Sequence, residues 1–267
     1  MGQVFYIPHG GGPLPLMGEP SYARLAAMLR GLNAEVAGCR AIVVVTAHWE
    51  EAGPCLSTAA RPGMLFDYQG FPPETYEYRY AAPGAPALAG EVAAALAAAG
   101  FEAGSDAERG FDHGTFVPML LIRPEADIPV LQMSLLASLD AERHLALGRA
   151  LAGLLDRNIA LIGSGFSFHN IPALIGRLGA RAEQGQALAA EFHAWLDETV
   201  CAPELAPDER DRRLIDWESA PGARFCHPRE EHLLPLHVCF GAAAQAGLAT
   251  RQIFGEPVKG FQTSGYG

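Results

Sequence analysis

The segment at residues 41–47, AIVVVTA, limits the possible folds of this chain more than any other feature. It is a short, uninterrupted apolar run rich in β-branched residues, and such a run is typical of a strand that helices cover on both faces. Residues 4–7, 128–133 and 159–162 are further apolar runs of strand length. We therefore predict four buried strands.

Helical patterns lie between and after these runs. They cover residues 22–37, 86–99, 141–155, 182–199 and 233–246. Because strands and helices largely alternate, the sequence predicts an α/β fold with a mainly parallel central sheet and helices on both faces. The chain has 267 residues, 49% of them hydrophobic, and no linker, repeat or low-complexity tract, so residues 1–267 are predicted to form a single domain.

Charge and cysteine content restrict the partners and the compartment. A formal net charge of -11 argues against nucleic acid, which is bound through clustered Lys and Arg, so we expect a small-molecule partner. No window approaches the roughly 18 uninterrupted apolar residues of a membrane span, and residues 1–12 lack the pattern of an export signal. Five widely spaced cysteines without a CxxC pair favour the cytoplasm. The sequence leaves the oligomeric state open, a homo-oligomer included.

Three histidines follow the carboxyl ends of predicted strands. His9 and His48 each fall just past the carboxyl end of an apolar run, and His169 follows a third run after the glycine turn GSG. In sheets of this kind ligands bind beyond the carboxyl ends of the strands. We therefore expect His9, His48 and His169 to converge on one edge of the sheet.

The nine histidines divide into two groups. His144 and His193 lie in helical segments among alanines and charged residues, so we interpret them as solvated, and His237 on an apolar helix as a hydrogen-bonded core residue. The other six lie in loops or at element ends: His9, His48, His113, His169, His227 and His232. One such histidine alone is as often structural as functional, but six together indicate a metal or acid–base site.

Two motifs also resemble those of esterases. HGGG at residues 9–12 is similar to an oxyanion-hole loop, and GSGFS holds two serines in the place of a nucleophile. The spacing does not fit G-x-S-x-G, since Ser164 has glycine directly on both sides and His169 replaces the final glycine expected after Ser167. An esterase is therefore a poor fit.

Seven segments together resemble the class III extradiol ring-cleaving dioxygenases, in the branch similar to DOPA dioxygenases. They are PHGGGPLPL, VVVTAHWE, FDYQGFPPETYEYRY, RGFDHGTFVPM, IGSGFSFHN, HPREEHLLPLHV and the final SGYG. They extend from the first ten residues to the last five, and their number and order make the resemblance specific. It implies a non-haem Fe(II) enzyme that opens a catechol ring with O2.

The resemblance also implies a metal-binding set. His9 and His48 resemble the two strand-end iron ligands of the family, and His232 in EEHLLPL resembles the third. The larger superfamily often uses a carboxylate as third ligand, so the neighbouring Glu230 and Glu231 keep that alternative open.

The remaining loop histidines resemble residues that act on the substrate. His169 in GSGFSFHN resembles the acid/base of the family, while His113 in DHGTF and His227 in HPREEH resemble residues that contact the substrate or support the ligands. His113 is thus a catalytic and substrate-binding candidate, and His227 is a substrate-binding candidate and an alternative third metal ligand.

The chemistry explains why such residues would be needed. A redox metal with free coordination positions lets the catechol oxygens and O2 bind side by side, and three protein ligands on one face leave those positions free. A histidine can take the proton of the substrate hydroxyl and later return one. Fe(II) is expected in the active form, while Zn(II) is expected to compete in purified protein because nitrogen ligands hold zinc more tightly.

Two other functions are compatible with the same residues. Three histidines around zinc would suit a hydrolase, and a protein of the same fold could bind metal without being an enzyme. Residues 66–80 raise a further question, since they carry six aromatic side chains between prolines and glycines. We expect most of these to be ordinary packing, with a smaller role as a roof over an aromatic substrate.

Overall fold

The computed structural model describes residues 2–267 and contains one eight-stranded sheet. Its strands are β1 (Val4–Pro8), β2 (Ala41–Glu51), β3 (Cys55–Ser57), β4 (Gly104–Asp106), β5 (Val130–Leu136), β6 (Ile159–Gly165), β7 (Gln252–Val258) and β8 (Phe261–Tyr266). Their order in the sheet is β4-β3-β5-β2-β6-β1-β8-β7. The four predicted strands are the four at its centre.

The central strands are parallel, and the outer ones bring in antiparallel pairing. β2 pairs in parallel with both β5 and β6, and β6 pairs in parallel with β1. β3 runs antiparallel to β5, and β8 runs antiparallel to β1 and to β7. The prediction of an α/β fold with a mainly parallel sheet is confirmed.

Helices cover the sheet. They are α1 (Ala23–Gly31), α2 (Asn33–Val36), α3 (Pro86–Ala98), α4 (His113–Ile122), α5 (Ala141–Leu151), α6 (Ile171–Leu174), α7 (Ala182–Cys201), α8 (Pro207–Ile215), α9 (Ala223–Cys226) and α10 (Leu234–Gln245). Short 3-10 helices span Pro20–Tyr22, Pro73–Glu77, Ala152–Arg157, Gly179–Arg181 and Trp217–Ser219. Within residues 2–267, none of the helices is both long and apolar enough to cross a membrane.

The burial of β2 explains why this strand is apolar throughout. Val43 and Val45 belong to the core on the face covered by α3, α5, α7 and α10, whereas Ile42 and Val44 belong to the core on the face covered by α1 and α4. All four side chains are fully buried. Each contributes roughly 1.5–3 kcal/mol on burial, so both helical layers are held to the same strand.

Two of the histidine interpretations were wrong. His144 and His193 are buried, not solvated. The ring of His144 bridges two elements, since Nδ1 lies 2.6 Å from the carbonyl oxygen of Asp140 and Nε2 accepts the amide hydrogen of Leu136 at 3.1 Å. Paired in this way, a neutral imidazole can be buried without leaving a polar atom unsatisfied. Alternating alanines and charges do not reveal such a partner.

His237 is buried as predicted. Its Nε2 lies 2.8 Å from the carbonyl oxygen of Leu214, so the ring is a hydrogen-bonded part of the core.

Candidate metal centre and active site

The carboxyl ends of β1, β2 and β6 meet at one edge of the sheet, and the expected convergence of histidines occurs there. His9 directly follows β1, and its amide donates to the carbonyl oxygen of Gly165 at the end of β6 (2.9 Å). His169 follows β6 at the same edge. The three parallel strands thus deliver these side chains to one place although they are far apart in sequence.

The position of His48 differs from the prediction. It lies inside β2, which continues to Glu51, and not past its end. The pairing of β2 with β6 nevertheless stops at Thr46, and its register with β5 shifts between Val45 and Glu50. The irregular stretch frees the backbone around His48 from the ladder, so its ring can face the same edge as His9.

Three imidazole nitrogens meet at this edge. Nε2 of His48 lies 3.1 Å from Nε2 of His9 and 3.2 Å from Nε2 of His232. Two nitrogens that bind one ion at about 2.1 Å are roughly 3.0–3.4 Å apart for angles between 90° and 109°. Both separations fall in this range, so the three residues could hold one metal ion.

The ring positions distinguish these three from their neighbours. The centroids of the His9, His48 and His232 rings are 4.9, 4.8 and 5.2 Å apart, close to the roughly 4.6–5.3 Å expected around a common ion. The His113 ring is only 3.9 Å from that of His48, and the His169 ring stacks on that of His232 at 3.3 Å. Donor atoms of His113 also lie within 4.8 Å of those of His9 and His48. Its ring, however, is closer to that of His48 than two rings bound to one ion would be, so we distinguish it from the trio of His9, His48 and His232.

The outer nitrogen of His9 is held by a serine. Its Nδ1 lies 3.0 Å from Oγ of Ser164, whose hydroxyl donates to the carbonyl oxygen of Gly114 in α4. That carbonyl is available because the residue four positions later is Pro118, which has no N–H to give it. Because the hydroxyl hydrogen of Ser164 is donated to Gly114, Ser164 can only accept a hydrogen bond from His9. Nδ1 of His9 therefore carries the hydrogen, and its Nε2 presents a lone pair.

Carboxylates lie behind the other two rings. Nδ1 of His232 lies 2.9 Å from Oε1 of Glu231, and Nδ1 of His48 lies 3.6 Å from Oδ2 of Asp67. An ionised carboxylate only accepts, so Nδ1 of His232 is the protonated nitrogen and its Nε2 faces inward unprotonated. Such outer partners fix ring orientation at metal sites and raise ligand basicity.

Burial keeps these imidazoles neutral. Desolvation, followed by repulsion from the neighbouring imidazoles, holds the pKa of His9, His48 and His232 well below the usual value. Three neutral rings with lone pairs directed at one another are unfavourable unless a cation lies between them. The donor set therefore fits a divalent metal.

His113 lies at the start of α4 beside the trio. Asp67 accepts from both its Nδ1 (2.7 Å) and its backbone N–H (3.0 Å). Burial alone would raise the pKa of Asp67, but these hydrogen bonds and the charge of His113 outweigh it and bring the pKa to about 2. One carboxylate thus orients His113 and lies behind His48.

A carboxylate also lies behind His169. Its Nδ1 lies 3.1 Å from Oε1 of Glu231, the same oxygen that accepts from His232. Burial raises the pKa of Glu231, but the hydrogen bond and charge of His169 prevail and lower it. Glu231 therefore stays ionised and holds two imidazoles, while Nε2 of His169 remains available.

His227 lies apart from these residues. It is fully buried between Phe192 and Trp217, its Nε2 donates to the carbonyl oxygen of Ser167 (2.8 Å), and it does not line the cavity described next. Its Nδ1 has no hydrogen-bond partner among the described residues. Nothing in this position brings it into contact with a molecule bound at the trio.

A cavity of about 510 Å³ opens in front of the trio. His9, His48, His113, His169 and His232 all face it, and its other walls are mostly apolar: Leu14, Tyr22, Phe71, Phe166, Ile171, Leu174 and Ile175. Its size suits a small molecule, and its composition suits an aromatic one.

The aromatic segment at residues 66–80 contributes chiefly to packing, as expected. Tyr68 is buried, and Phe66 and Tyr76 pack around it. Only Phe71 of this segment lines the cavity, above Gly12. A Cβ at Gly12, where φ is +54°, would come within 3.1 Å of the Phe71 ring, so this glycine lets the aromatic wall close over the site.

Sequence reasoning missed two of the supporting residues. The sequence pattern does not single out Asp67 among its aromatic neighbours, and it indicates Glu231 only as an alternative ligand. The available signal for Asp67 was a carboxylate between Phe66 and Tyr68 in a segment expected to pack. A charge there needs a partner, and His113 is that partner.

The comparisons with known proteins agree with this geometry. A family model described as the catalytic LigB subunit of aromatic ring-opening dioxygenase matches residues 16–261. The chain belongs to this family. It is an extradiol ring-opening dioxygenase, and the resemblance drawn from its motifs is confirmed.

Relatives of this dioxygenase match most of its length. It is 45% identical over 254 residues to the dioxygenase tasH of Hapsidospora irregularis, covering 90% of this chain and 78% of that protein. It is 36% identical to a Portulaca grandiflora protein named 4,5-DOPA dioxygenase extradiol, covering 92% and 88%. A crystal structure of an uncharacterised protein from Escherichia coli K12 matches with a TM-score of 0.75 and 26% identity over 99% of both chains.

Proposed function

We propose that this dioxygenase uses Fe(II) and O2 to cleave the ring of a catechol. The observation that carries the proposal is the meeting of three neutral imidazole nitrogens, of His9, His48 and His232, at the wall of an aromatic-sized cavity. Three ligands on one face leave coordination positions free for the two catechol oxygens and O2.

The residues that would hold the iron are His9, His48 and His232, with Ser164 and Glu231 fixing two of the rings from behind. His232 is favoured over its alternatives because Glu231 is already shared by two imidazoles and His227 lies outside the cavity. Bound ferrous iron would supply the redox chemistry that combines O2 with the ring.

His169 is proposed as the acid/base. Glu231 accepts from its Nδ1, so its Nε2 can take the proton of a catechol hydroxyl and return it after the ring has opened. His113, held in the same way by Asp67, is placed to donate to a substrate oxygen. The carbon–carbon bond beside the diol breaks, both atoms of O2 enter the product, and a semialdehyde of muconate type results.

The compartment is proposed to be the cytoplasm. All five cysteines are free, two of them buried, which suits a reducing environment.

The decisive experiment is anaerobic reconstitution with Fe(II), followed by oxygen uptake and absorbance measurements on a panel of catechols. We expect one O2 consumed per catechol and a yellow ring-opened product. The zinc-loaded protein is the matched control, because zinc occupies the same ligands without redox chemistry.

The alternatives make different predictions in the same experiment. A zinc hydrolase would turn over esters or amides in the zinc form and consume no O2 in the iron form. A non-enzymatic metal-binding protein would take up one ion and turn over neither class.

A further inference from the structure

Lys259 is an unusual residue in this chain. Of the 19 lysine and arginine residues it is the only lysine. It lies in the two-residue turn between β7 and β8, and it is the only lysine or arginine among the residues that line the cavity in the described part of the chain. A protein with a net charge of -11 thus places a cation at the mouth of its substrate site.

The backbone at Lys259 is not suited to lysine. Its φ is +53° and that of Gly260 is +85°, so the turn has both central residues in the left-handed region. Such turns favour Asn-Gly or Gly-Gly, and another residue in this conformation costs on the order of 1 kcal/mol. Strain of this kind, observed beside a ligand site, points to a role for the side chain.

The remaining walls of the cavity offer no partner for a second charged group of the substrate. No Asp or Glu of residues 2–267 lines it, since Asp67 and Glu231 lie behind the histidines with their oxygens facing His113, His169 and His232. Between the trio and the mouth the walls are apolar, with Ile171 and Ile175 partly exposed at the rim. Glu19, which faces Nζ of Lys259 at 3.7 Å, does not itself line the cavity, so a substrate ammonium would meet the positive charge of Lys259 whereas a substrate carboxylate would pair with it.

We infer that Lys259 is a specificity-determining residue, and that the substrate is a catechol whose ring bears an apolar spacer ending in a carboxylate, without an ammonium group. The inference rests on the proposed function and deepens it. The diol faces the histidines, the spacer lies along the apolar walls, and the carboxylate pairs with Nζ of Lys259.

Glu19 provides an internal competitor for this pairing. Its Oε1 lies 3.7 Å from Nζ of Lys259, and its other oxygen accepts from Ser21. The pair is partly exposed and long, so it is weak and a substrate carboxylate can replace it. Removal of Glu19 should therefore strengthen the binding of anionic catechols.

The test compares three catechols of similar size: dihydroxyphenylpropanoate, propylcatechol and dopamine. Lys259→Met and Lys259→Asn remove the charge, and Asn also suits the turn, so a folded variant is expected. The ratio of kcat/KM for the propanoate to that for propylcatechol should fall about five- to tenfold. Lys259→Arg should restore most of it, and Glu19→Gln should raise it.

Arg24→Met is the matched control. Arg24 is exposed, pairs with Glu256 on β7 and does not line the cavity, so its loss changes the net charge equally without changing the ratio. An unchanged ratio in both Lys259 variants, or wild-type preference for dopamine, would overturn the inference.

Binding to the zinc-loaded protein separates this inference from the proposed function. Calorimetry with the propanoate and with propylcatechol needs no turnover, and Lys259→Met should weaken only the binding of the propanoate, again about five- to tenfold. If no catechol reacts with the iron form, the proposed function fails while calorimetry still decides the role of Lys259. If catechols react but the propanoate binds both proteins equally, the inference alone fails.

Discussion

At the residue scale, each imidazole of the trio has a different group behind it. Ser164 accepts from His9, Glu231 accepts from His232, and Asp67 lies near His48. The hydrogen bonds to Ser164 and Glu231 select the protonated nitrogen of His9 and of His232, so the protein itself sets the orientation and lone-pair direction of these two rings.

Substitution at the trio and at His169 should separate metal binding from proton transfer. His9→Ala, His48→Ala and His232→Ala should each sharply reduce metal content, because a ligand is removed. His169→Gln should retain iron and bind catechol, yet turn over about two to four orders of magnitude more slowly. Metal analysis and single-turnover rates check this. Full metal content in His48→Ala would contradict the ligand set, and near-normal turnover of His169→Gln would contradict its role.

Glu231 should influence both metal binding by His232 and proton transfer by His169. Glu231→Gln keeps the shape but removes the charge that holds His232 and His169, so metal affinity should fall about 10- to 100-fold and the pH–rate profile should shift. Competition with a chelator and a pH series measure these effects. Glu230→Gln is the control, since Glu230 pairs with Arg224. Equal behaviour of the two variants would show that the position of Glu231 is incidental.

At the element scale, the start of α4 packs against β2, the strand that carries His48. Asp112 caps the helix by accepting from the amide of Thr115 (3.1 Å) and also accepts from the hydroxyl of Thr46 in β2 (2.8 Å). Arg109 joins the same network, with one nitrogen 3.0 Å from the carbonyl oxygen of His48. Helix and strand are thus fastened together at the point where the His48 ring turns toward the cavity.

Gly114 permits this close approach. A Cβ at this position would lie 2.7 Å from Oγ1 of Thr46 and 2.9 Å from Cδ2 of His48, so Gly114→Ala should displace the His48 ring and lower metal affinity by at least tenfold. Gly90→Ala, in α3 with open space around it, should leave metal binding unchanged and stabilise the fold by about 0.5–1 kcal/mol. Metal titration and urea denaturation measure both effects, and unaltered metal binding in Gly114→Ala would disprove the steric argument.

At the scale of the whole molecule, most histidines are buried in the neutral form. Burial lowers the pKa of His144 and of His193 to about 4. In the unfolded chain these groups titrate near 6.5, so unfolding takes up protons between pH 6.5 and 4. Stability is therefore retained above pH 6.5 and lost as the pH falls toward 4.

His144 gives a specific test of this pH dependence. Its Nε2 accepts the amide hydrogen of Leu136, so protonation on that nitrogen would break a buried hydrogen bond. The unfolding free energy of the metal-free wild type should drop by up to about 3 kcal/mol more than that of His144→Gln between pH 7 and pH 4. Urea denaturation across this range measures the difference, and parallel curves would contradict it.

Much of the fold and part of the site could be predicted from the sequence. The runs at residues 41–47 and 159–162 are apolar because both of their faces are buried. This continuous apolar pattern can be recognised in the sequence without a structure. His9 and His169 follow such strands, so their convergence follows from parallel pairing alone. The short outer strands β3 and β4, with three residues each, carry no periodicity that could reveal them.

The rest was decided by tertiary packing. His232 meets His48 although 184 positions separate them, and Asp67 meets His113 across 46 positions. Lys259 reaches the cavity only because its hairpin, β7–β8, pairs with β1 at one side of the sheet. Local periodicity records which face of an element is buried, but not which distant polar group it will meet. The sequence by itself therefore determined the four central strands and the histidines near their carboxyl ends, while the tertiary structure decided which groups orient those histidines and which cation lines the cavity.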